Sequence, residues 1–318
     1  MNRVGGWAAG LLLAGVSVVV GCRLADSDGF TPVPQLLAFL PWLVAPTAAA
    51  LLIALLARWR TGLVWGVAAL GALAWCIQPY GTDHEPSGPP VSGIRVLASN
   101  VQFGRGTDAL IDAITAHDPG IVFVEECDDG CQDALARNSL ETAYPYRQAV
   151  RAGGSEGSEI LSRFPLKAAP GVAGTMGMPG ATADVRGQSV RLQLAHPMPP
   201  LPQQLGVWRR ELGRLADFAG AGDGPTIVAG DFNATQDHAA FRRILDAGSL
   251  RDASRLTGDS RRASWPSTAP RQLGTQIDHV LVSEAFSAQD VRFLTLADTD
   301  HRAVLVDLTL HKTPPTSS

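Results

Sequence analysis

Two polar residues, Asp231 and Asn233, follow a short apolar run at 226–229. The run is too short for a helix and ends in a glycine, so it predicts a buried strand that delivers both side chains into a loop. On an extended backbone, residues two apart point to the same side and converge. A carboxylate beside a neutral amide suits a site that holds a hard cation and a phosphate. The alternative is a strand end with an Asx turn.

Other short apolar runs also meet polar residues at one end. These residues are Asn100 after 94–99, Glu125 and Glu126 after 121–124, His196 after 190–195, Asp278 at the start of 278–282, and Asp300 and His301 before 303–310. Each one also has a plainer interpretation, as a turn residue, a loop residue or a strand cap. Together with the Asp231 and Asn233 pair, Asn100, Glu126, His196 and the Asp300 and His301 pair predict that five strand ends deliver amides, acids and imidazoles.

The elements that must position these residues are short. Helical spacing predicts helices over 108–117, 205–218 and 238–245, mixed with strands of four to eight residues. Such a mixture indicates an α/β or α+β domain. We place this domain at 93–311, after a Pro-, Gly- and Ser-rich linker at 81–92 and a membrane anchor at 1–80. Residues 312–318 are predicted to be a disordered tail.

Charge is distributed unevenly along the 318 residues. Residues 93–318 hold 22 of the 26 Lys and Arg residues and 26 of the 30 Asp and Glu residues, which gives this part a net charge of 22 − 26 = −4. A nucleic-acid binder usually shows a basic surface, so this charge argues against a polycationic nucleic-acid partner. It does not exclude DNA, because metal ions offset acidic sites.

Three apolar runs, at 5–21, 36–57 and 61–77, contain no charged residue. Each approaches the roughly 20 residues that cross a bilayer core, so we predict three transmembrane helices, of which the third is short. The alternative, buried core helices, would require three runs without a polar face to pack on a soluble domain.

The charges beside these runs predict the orientation. Arg3 precedes the first run, and Arg58 and Arg60 lie between the second and the third. The positive-inside rule therefore places the N-terminus in the cytoplasm and the large domain outside the cell membrane. An alternative is a cleaved lipoprotein leader with lipidation at Cys22, which the Arg58 and Arg60 pair opposes because two further runs follow.

Two cysteines, Cys127 and Cys131, lie four residues apart directly after Glu126. Outside the cell such a pair can close a small disulfide loop. A zinc site is the weaker interpretation, because two further ligands with metal-type spacing are missing nearby.

These motifs, in their order along the chain, resemble those of the endonuclease/exonuclease/phosphatase superfamily. The motifs are Asn100, Glu126, LSRFP at 161–165, His196, GDFN at 230–233, IDHVLVS at 277–283 and TDH at 299–301. This is the fold of pancreatic deoxyribonuclease, abasic-site endonucleases, neutral sphingomyelinases and inositol polyphosphate 5-phosphatases. The resemblance covers about 93–310 and implies an α+β fold, a four-layer β-sandwich of two packed sheets flanked by helices.

The resemblance implies a metal site with Glu126 as the principal ligand of Mg²⁺, and with Mn²⁺ as the alternative ion. Asn100 would lie close to the metal, and Asp300 would face it. Mg²⁺ prefers oxygen ligands and keeps several waters, so few carboxylates suffice. Glu125 is the alternative ligand, but alignment on the apolar strand favours Glu126.

The resemblance also implies a phosphate site. Asp231 would orient or deprotonate the attacking water, and Asn233 would bond the phosphate. His301, held by Asp278, would contact the scissile phosphate, while His196 would donate a hydrogen bond to the phosphate or the leaving oxygen. Phosphate ester hydrolysis needs an aligned water and groups that absorb charge on the phosphate oxygens, which this set provides.

Two departures from the family pattern argue against nuclease activity. Glu125 stands where the family often has Gln. We find neither an acid that partners His196, as in the deoxyribonuclease branch, nor the Tyr of the abasic-site branch.

Three membrane spans followed by one such domain resemble the VanJ-type group of bacterial membrane proteins, which is associated with teicoplanin resistance. This implies a phosphatase or phosphodiesterase that acts on a membrane lipid or a lipid-linked phosphate, such as a polyprenyl pyrophosphate. A loop could grip its headgroup through Trp265, Pro266, Arg261, Arg262 and Arg271, or it could simply be solvated. A tethered extracellular nuclease and a catalytically inactive binding module are the alternative functions.

Overall fold

The computed structural model describes residues 3–81, 86 and 88–312, with the backbone alone for residues 138 and 139. It has two compact units. One comprises Met1–Tyr80 together with Thr235–Arg242, and the other comprises Gly81–Ala234 together with Arg243–Ser318. Residues 82–85 and 87 of the predicted linker and residues 313–318 of the predicted tail lie outside the described residues.

The N-terminal unit is helical. Its helices are α1 (Arg3–Leu24), α2 (Val33–Ala38), α3 (Val44–Leu56) and α4 (Arg60–Cys76), with a 3-10 turn at Leu40–Leu43. Small and branched residues of α1, such as Ala9, Leu13 and Val16, are buried among the other helices.

Among the described residues, one helix is long and apolar enough to cross a membrane. This is α1, with a mean hydropathy of 1.9, and an N-terminal signal sequence would share its length and composition. The second predicted span is divided between α2, the 3-10 turn and α3, and Leu40–Leu56 and Arg60–Cys76 are shorter apolar helices. Three spans therefore stay a prediction.

The second unit contains two six-stranded sheets. The strands are β1 (Pro90–Asn100), β2 (Ile121–Glu125), β3 (Tyr146–Val150), β4 (Ser158–Ser162), β5 (Leu166–Ala169), β6 (Gly180–Val185), β7 (Gln188–Ala195), β8 (Thr226–Asp231), β9 (Arg251–Asp252), β10 (Asp278–Val282), β11 (Phe286–Thr295) and β12 (Arg302–His311). Their orders are β11-β12-β1-β2-β4-β3 and β5-β6-β7-β8-β10-β9. Because β1 begins at Pro90, the last residues of the predicted linker are part of a strand.

Helices accompany these strands. They are α5 (Thr107–His117), α6 (Asp129–Leu135), α7 (Asn138–Ala143), α8 (Leu205–Gly220), α9 (Ala239–Ala247) and α10 (Ala253–Leu256). The predicted helices at 108–117, 205–218 and 238–245 correspond to α5, α8 and α9 within two residues at each end. The α+β class and the two sheets of the prediction are confirmed.

The apolar core lies between the two sheets. Val96 of β1, Leu194 of β7 and Val280 of β10 belong to one buried cluster with residues of both sheets. A second cluster joins the other face of the first sheet to α5 and α6 through residues such as Leu110 and Leu135. Buried apolar surface of this kind contributes roughly 25 cal/mol per Å², so these two clusters hold the strand ends in place.

Strand pairing brings the polar strand ends together. β1 and β2 are parallel, with Asn100 opposite Glu125, and β7 and β8 are parallel, with Ala195 opposite Gly230. Asp231 at the end of β8 lies opposite Asp278 at the start of the antiparallel β10. Five strand termini therefore meet at one end of the two sheets.

Candidate active site

Glu126 lies just beyond β2 with its backbone in the left-handed region, at φ 54°. Its Oε1 accepts a hydrogen bond from Asn100 Nδ2 at 3.1 Å, and its Oε2 accepts one from the Phe103 N–H at 3.1 Å. A left-handed backbone at a non-glycine residue costs about 1 to 3 kcal/mol and is concentrated at functional sites. The side chain is 15% exposed, so it is open to a ligand from solvent.

A disulfide joins Cys127 to Cys131, with the Cα atoms 5.2 Å apart, a bond that the sequence allows but does not settle. The Asp128 side chain accepts a hydrogen bond from the Cys131 N–H and caps α6. The residues that directly follow Glu126 are thus held by a covalent link and a helix cap.

Asn100 lies between two acids. Its Nδ2 donates to Glu126 Oε1 at 3.1 Å and to Asp231 Oδ2 at 3.2 Å, while its Oδ1 accepts the Gln102 N–H at 2.9 Å. The amide oxygen, which a metal would need, therefore already accepts one backbone N–H. The amide nitrogen is placed to orient both acids, and the role of Asn100 as a metal ligand stays a prediction.

Asp231, Asp278 and His301 form a buried group. Asp278 Oδ2 lies 3.0 Å from His301 Nδ1, and Asp231 Oδ2 lies 3.8 Å from His301 Nε2. Because a carboxylate faces each ring nitrogen, the imidazolium is the favoured form of His301. The predicted pairing of His301 with Asp278 is present.

The pKa values of this group follow from burial and charge. Burial alone would lower the pKa of His301, but the charges of Asp278 and Asp231 outweigh it and raise the pKa to about 10. Burial raises the pKa of Asp231 to about 7, against the opposing effect of His301. A carboxylate with a pKa near neutrality is matched to the work of a general base.

His196 is completely buried but has no acid on its ring Nδ1. Among the described residues nothing hydrogen-bonds to Nδ1, and Nε2 lies 3.7 Å from Glu126 Oε1. Burial first, and then the charge of His301, lower the pKa of His196 to about 3. His196 is therefore a neutral imidazole that can donate from Nε2, and the missing acid of the sequence analysis has no substitute here.

The extended backbone predicted for Asp231 and Asn233 is wrong at Asn233. Its backbone is left-handed at φ 47°, and its N–H donates to Asp231 Oδ1 at 2.8 Å, which is the Asx turn named as the alternative. Its Nδ2 donates to the Pro197 carbonyl at 3.1 Å, one residue after His196. The turn, and not an extended strand, brings the amide to the site.

Asp300 is held by the loop at 263–269, a contact that the sequence does not predict. Trp265 Nε1 donates to Asp300 Oδ2 at 3.0 Å, and the Ser267 N–H donates to the Asp300 carbonyl at 2.7 Å. The buried Arg302 guanidinium donates to four carbonyls of this loop, those of Ala263, Pro266, Ser267 and Ala269. Arg302 directly follows His301, but nothing in the sequence indicates that it organises this loop.

Two of the arginines expected to grip a headgroup have other partners. Arg262 pairs with Asp259 at 2.6 Å, and Arg271 Nη2 donates to the Phe293 carbonyl at 3.0 Å. Trp265 supports Asp300. Arg163 pairs with Asp118.

Glu125 is fully buried, unlike its neighbour Glu126. Neither of its carboxylate oxygens has a hydrogen-bond partner among the described residues, and a Cβ added at Gly230 would come within 2.6 Å of Oε1. Burial raises the pKa of Glu125 well above its usual range, and the charges of Asp278 and Asp231 act in the same direction. Glu126 is therefore the acid that is open to a ligand.

The donors fit a hard divalent cation at Glu126 and Asp300. Both are partly exposed carboxylates from separate strand ends, and among the described residues Glu126 accepts hydrogen bonds from a neutral amide and a backbone N–H. Burial raises the pKa of Glu126, and the charge of Asp300 acts in the same direction, so the two carboxylates are close enough to interact. Asp231, Asp278 and His301 also offer one ligand atom each within 4.8 Å of the others. In that second group, however, His301 Nδ1 already faces Asp278.

Comparison with known proteins identifies a family that the sequence matches. The sequence model of the endonuclease/exonuclease/phosphatase family matches residues 97–301. No curated protein matches the sequence.

Several solved structures share the fold. A humanized TDP2 from D. rerio with 14 mutations has a TM-score of 0.55 at 14% identity, and the match covers 68% of this chain and 98% of that chain. A family protein from Bacteroides thetaiotaomicron has a TM-score of 0.51 at 15% identity, covering 72% and 100%. One from Beutenbergia cavernae has a TM-score of 0.52 at 18% identity, covering 70% and 73%. At these identities the similarity shows the fold alone.

Proposed function

The chain belongs to the endonuclease/exonuclease/phosphatase family, whose members hydrolyse phosphoester bonds, and on this premise we propose a membrane-anchored, metal-dependent hydrolase of a lipid-linked phosphate or pyrophosphate in the cell envelope. The observation that carries the proposal is one continuous polar array. Glu126, Asn100 and Asp231 are joined by hydrogen bonds, and Asp231 lies beside the His301–Asp278 pair.

The metal would be held by Glu126 and Asp300. When bound, a divalent cation stabilises the negative charge that develops on the phosphate oxygens. Asn100 orients Glu126 by donating to its Oε1, and Trp265 orients Asp300 by donating to its Oδ2.

Three side chains would handle the phosphate and the water. Asp231 accepts the proton of the attacking water, and its pKa near 7 keeps a fraction of the carboxylate available at neutral pH. His301 donates from Nε2 to the phosphate as a cation fixed by Asp278. His196 donates from Nε2 to the leaving oxygen as a neutral imidazole.

The membrane anchor supports a lipid-linked substrate. The helix α1 is long and apolar enough to span a bilayer, and two shorter apolar helices follow it. A tether raises the effective concentration of the site toward phosphates carried by the same membrane. The net charge of −4 argues against nucleic acid, and three spans before one such domain would match the VanJ-type group and its link to teicoplanin resistance.

The disulfide supports an extracytoplasmic catalytic unit. Disulfides persist in oxidising environments outside the cytoplasm, and Cys127–Cys131 lies in this unit. Arg3, Arg58 and Arg60 would then face the cytoplasm. Protease digestion of intact cells should cleave the catalytic unit while a cytoplasmic N-terminal tag stays protected.

The test of the activity uses the full chain in detergent with Mg²⁺, Mn²⁺ or EDTA. We expect metal-dependent phosphate release from a polyprenyl pyrophosphate, with little nicking of plasmid DNA. Glu126→Ala should abolish release, whereas Glu284→Ala, which removes an exposed carboxylate, should not. Nicking without phosphate release would instead establish a tethered nuclease, and no hydrolysis of either substrate with either metal would indicate a binding module.

A further inference from the structure

The segment Thr235–Arg242 begins two residues after Asn233 and forms one compact unit with the N-terminal residues. It contains the turn that leads into α9 and the first residues of that helix. The catalytic loop is therefore covalently continuous with a segment that belongs structurally to the membrane anchor.

Asp28 caps α9 from 211 positions away. Its Oδ1 accepts the Ala239 N–H at 2.7 Å, and its Oδ2 accepts the Ala240 N–H at 3.2 Å. The first N–H groups of a helix have no partner within the helix, and an acidic cap also interacts favourably with the helix dipole. Asp28 is 5% exposed, so water competes little for these bonds.

His238 links the cap to the catalytic loop. Its Nδ1 accepts the Thr235 N–H at 2.9 Å, so the ring proton is on Nε2, which lies 2.8 Å from the Pro34 carbonyl. The preceding carbonyl, that of Ala234, faces His279 Nε2 at 3.0 Å. Two buried imidazoles therefore hold the peptide unit between Ala234 and Thr235, one at its carbonyl and one at its N–H.

Arginines complete the attachment of the segment. Arg242 pairs with Asp26 and donates to the Asp237 carbonyl at 2.7 Å, and Arg23 lies 3.4 Å from the Asp237 carboxylate. Both guanidinium groups lie over the Tyr80 ring, at 5.5 and 5.9 Å from its centroid. The segment is thus bound to N-terminal residues within and after its turn.

We propose that Asp28 is a positioning residue for catalysis: through the α9 cap it fixes Thr235–Arg242, and so restrains the chain that directly follows the Asx turn of Asn233. This inference rests on the proposed function, because Asp231, the proposed base, accepts the Asn233 N–H in that turn. Small displacements of a substrate-contacting group reduce rates steeply.

The experiment compares Asp28→Ala and Asp28→Asn in the full chain in detergent, with Thr47→Val as the control. Thr47 is buried in the same unit and donates its hydroxyl to the Leu43 carbonyl, four residues earlier in the chain. We expect Asp28→Ala to lower kcat for bis(p-nitrophenyl) phosphate about tenfold, and Asp28→Asn, which keeps an acceptor, to restore most of it. Thr47→Val should leave kcat unchanged.

Hydrogen exchange gives a readout that does not depend on activity. In Asp28→Ala, peptides that cover 229–242 should exchange faster than in the wild type, including the part before Thr235. Unchanged exchange before Thr235, wild-type kcat in Asp28→Ala, or an equal loss of kcat in Thr47→Val would each overturn the inference. If the wild-type chain hydrolyses nothing, the proposed function fails and the exchange of 229–234 alone decides whether Asp28 orders the loop.

Discussion

The two buried histidines of the site occupy opposite electrostatic environments. His301 lies between Asp278 and Asp231, which raise its pKa to about 10. His196, after β7, has no acid on Nδ1, and burial together with the charge of His301 lowers its pKa to about 3. At neutral pH the site therefore contains one imidazolium, that of His301, and one neutral imidazole, that of His196.

The difference shows how neighbours assign roles to identical side chains. A cation beside the phosphate stabilises charge that grows in the transition state, whereas a neutral donor stabilises the leaving oxygen without repelling the metal.

The largest effect on kcat should come from substitution of the charged His301. We expect His301→Ala to lower kcat about 10³-fold, because it removes a charged donor and leaves Asp278 buried without its partner. Steady-state hydrolysis of bis(p-nitrophenyl) phosphate measures this, with His117→Ala on α5 as the control. A loss of less than about tenfold would place His301 outside the chemistry.

Substitution of the neutral His196 should lower kcat less. We expect His196→Ala to lower kcat about tenfold, the contribution of one neutral hydrogen bond in the transition state, and His196→Gln to recover part of it through its amide donor. The same assay compares kcat of the His196 and His301 variants. An effect of His196→Ala as large as that of His301→Ala would remove the distinction between them.

The two histidines should also affect stability on opposite sides of neutrality. The raised pKa of His301 gives stability that is complete below its unfolded value near 6.5 and is lost as the pH rises toward 10. The depressed pKa of His196 gives stability that is present above about 6.5 and is lost as the pH falls toward 3.

Melting temperatures in EDTA between pH 4 and pH 10 test this smaller effect. Relative to the wild type, His301→Gln should flatten the alkaline decline and His196→Gln should flatten the acid decline. Identical profiles for both variants would contradict the assigned charges.

The sequence predicts best those site residues that lie at the ends of short apolar strands. Apolar runs that end in Asn100, Glu126 and Asp231 predict strand ends, because burial on both faces makes such strands continuous and apolar. The site residues could thus be named before any contact was known. The short strands β5 and β6 and the short helices α6 and α7 were missed, since few residues carry too weak a pattern.

The contacts that complete the site depend on tertiary structure. The left-handed turn at Asn233, the four carbonyls bound by Arg302 and the α9 cap from Asp28 all join residues to partners that local patterns do not specify. Asn100 shows the same limit, because the sequence identifies an amide but not which of its atoms faces the acids.

Metal titration of the full chain, with hydrolysis measured on the same samples, tests the central claim most directly. We predict saturable activation of wild-type hydrolysis by Mg²⁺ or Mn²⁺, reversed by EDTA, and loss of both calorimetric binding and activation in Glu126→Ala. Hydrolysis that persists in EDTA, or that Glu126→Ala leaves intact, would contradict a metal-dependent site at this end of the two sheets.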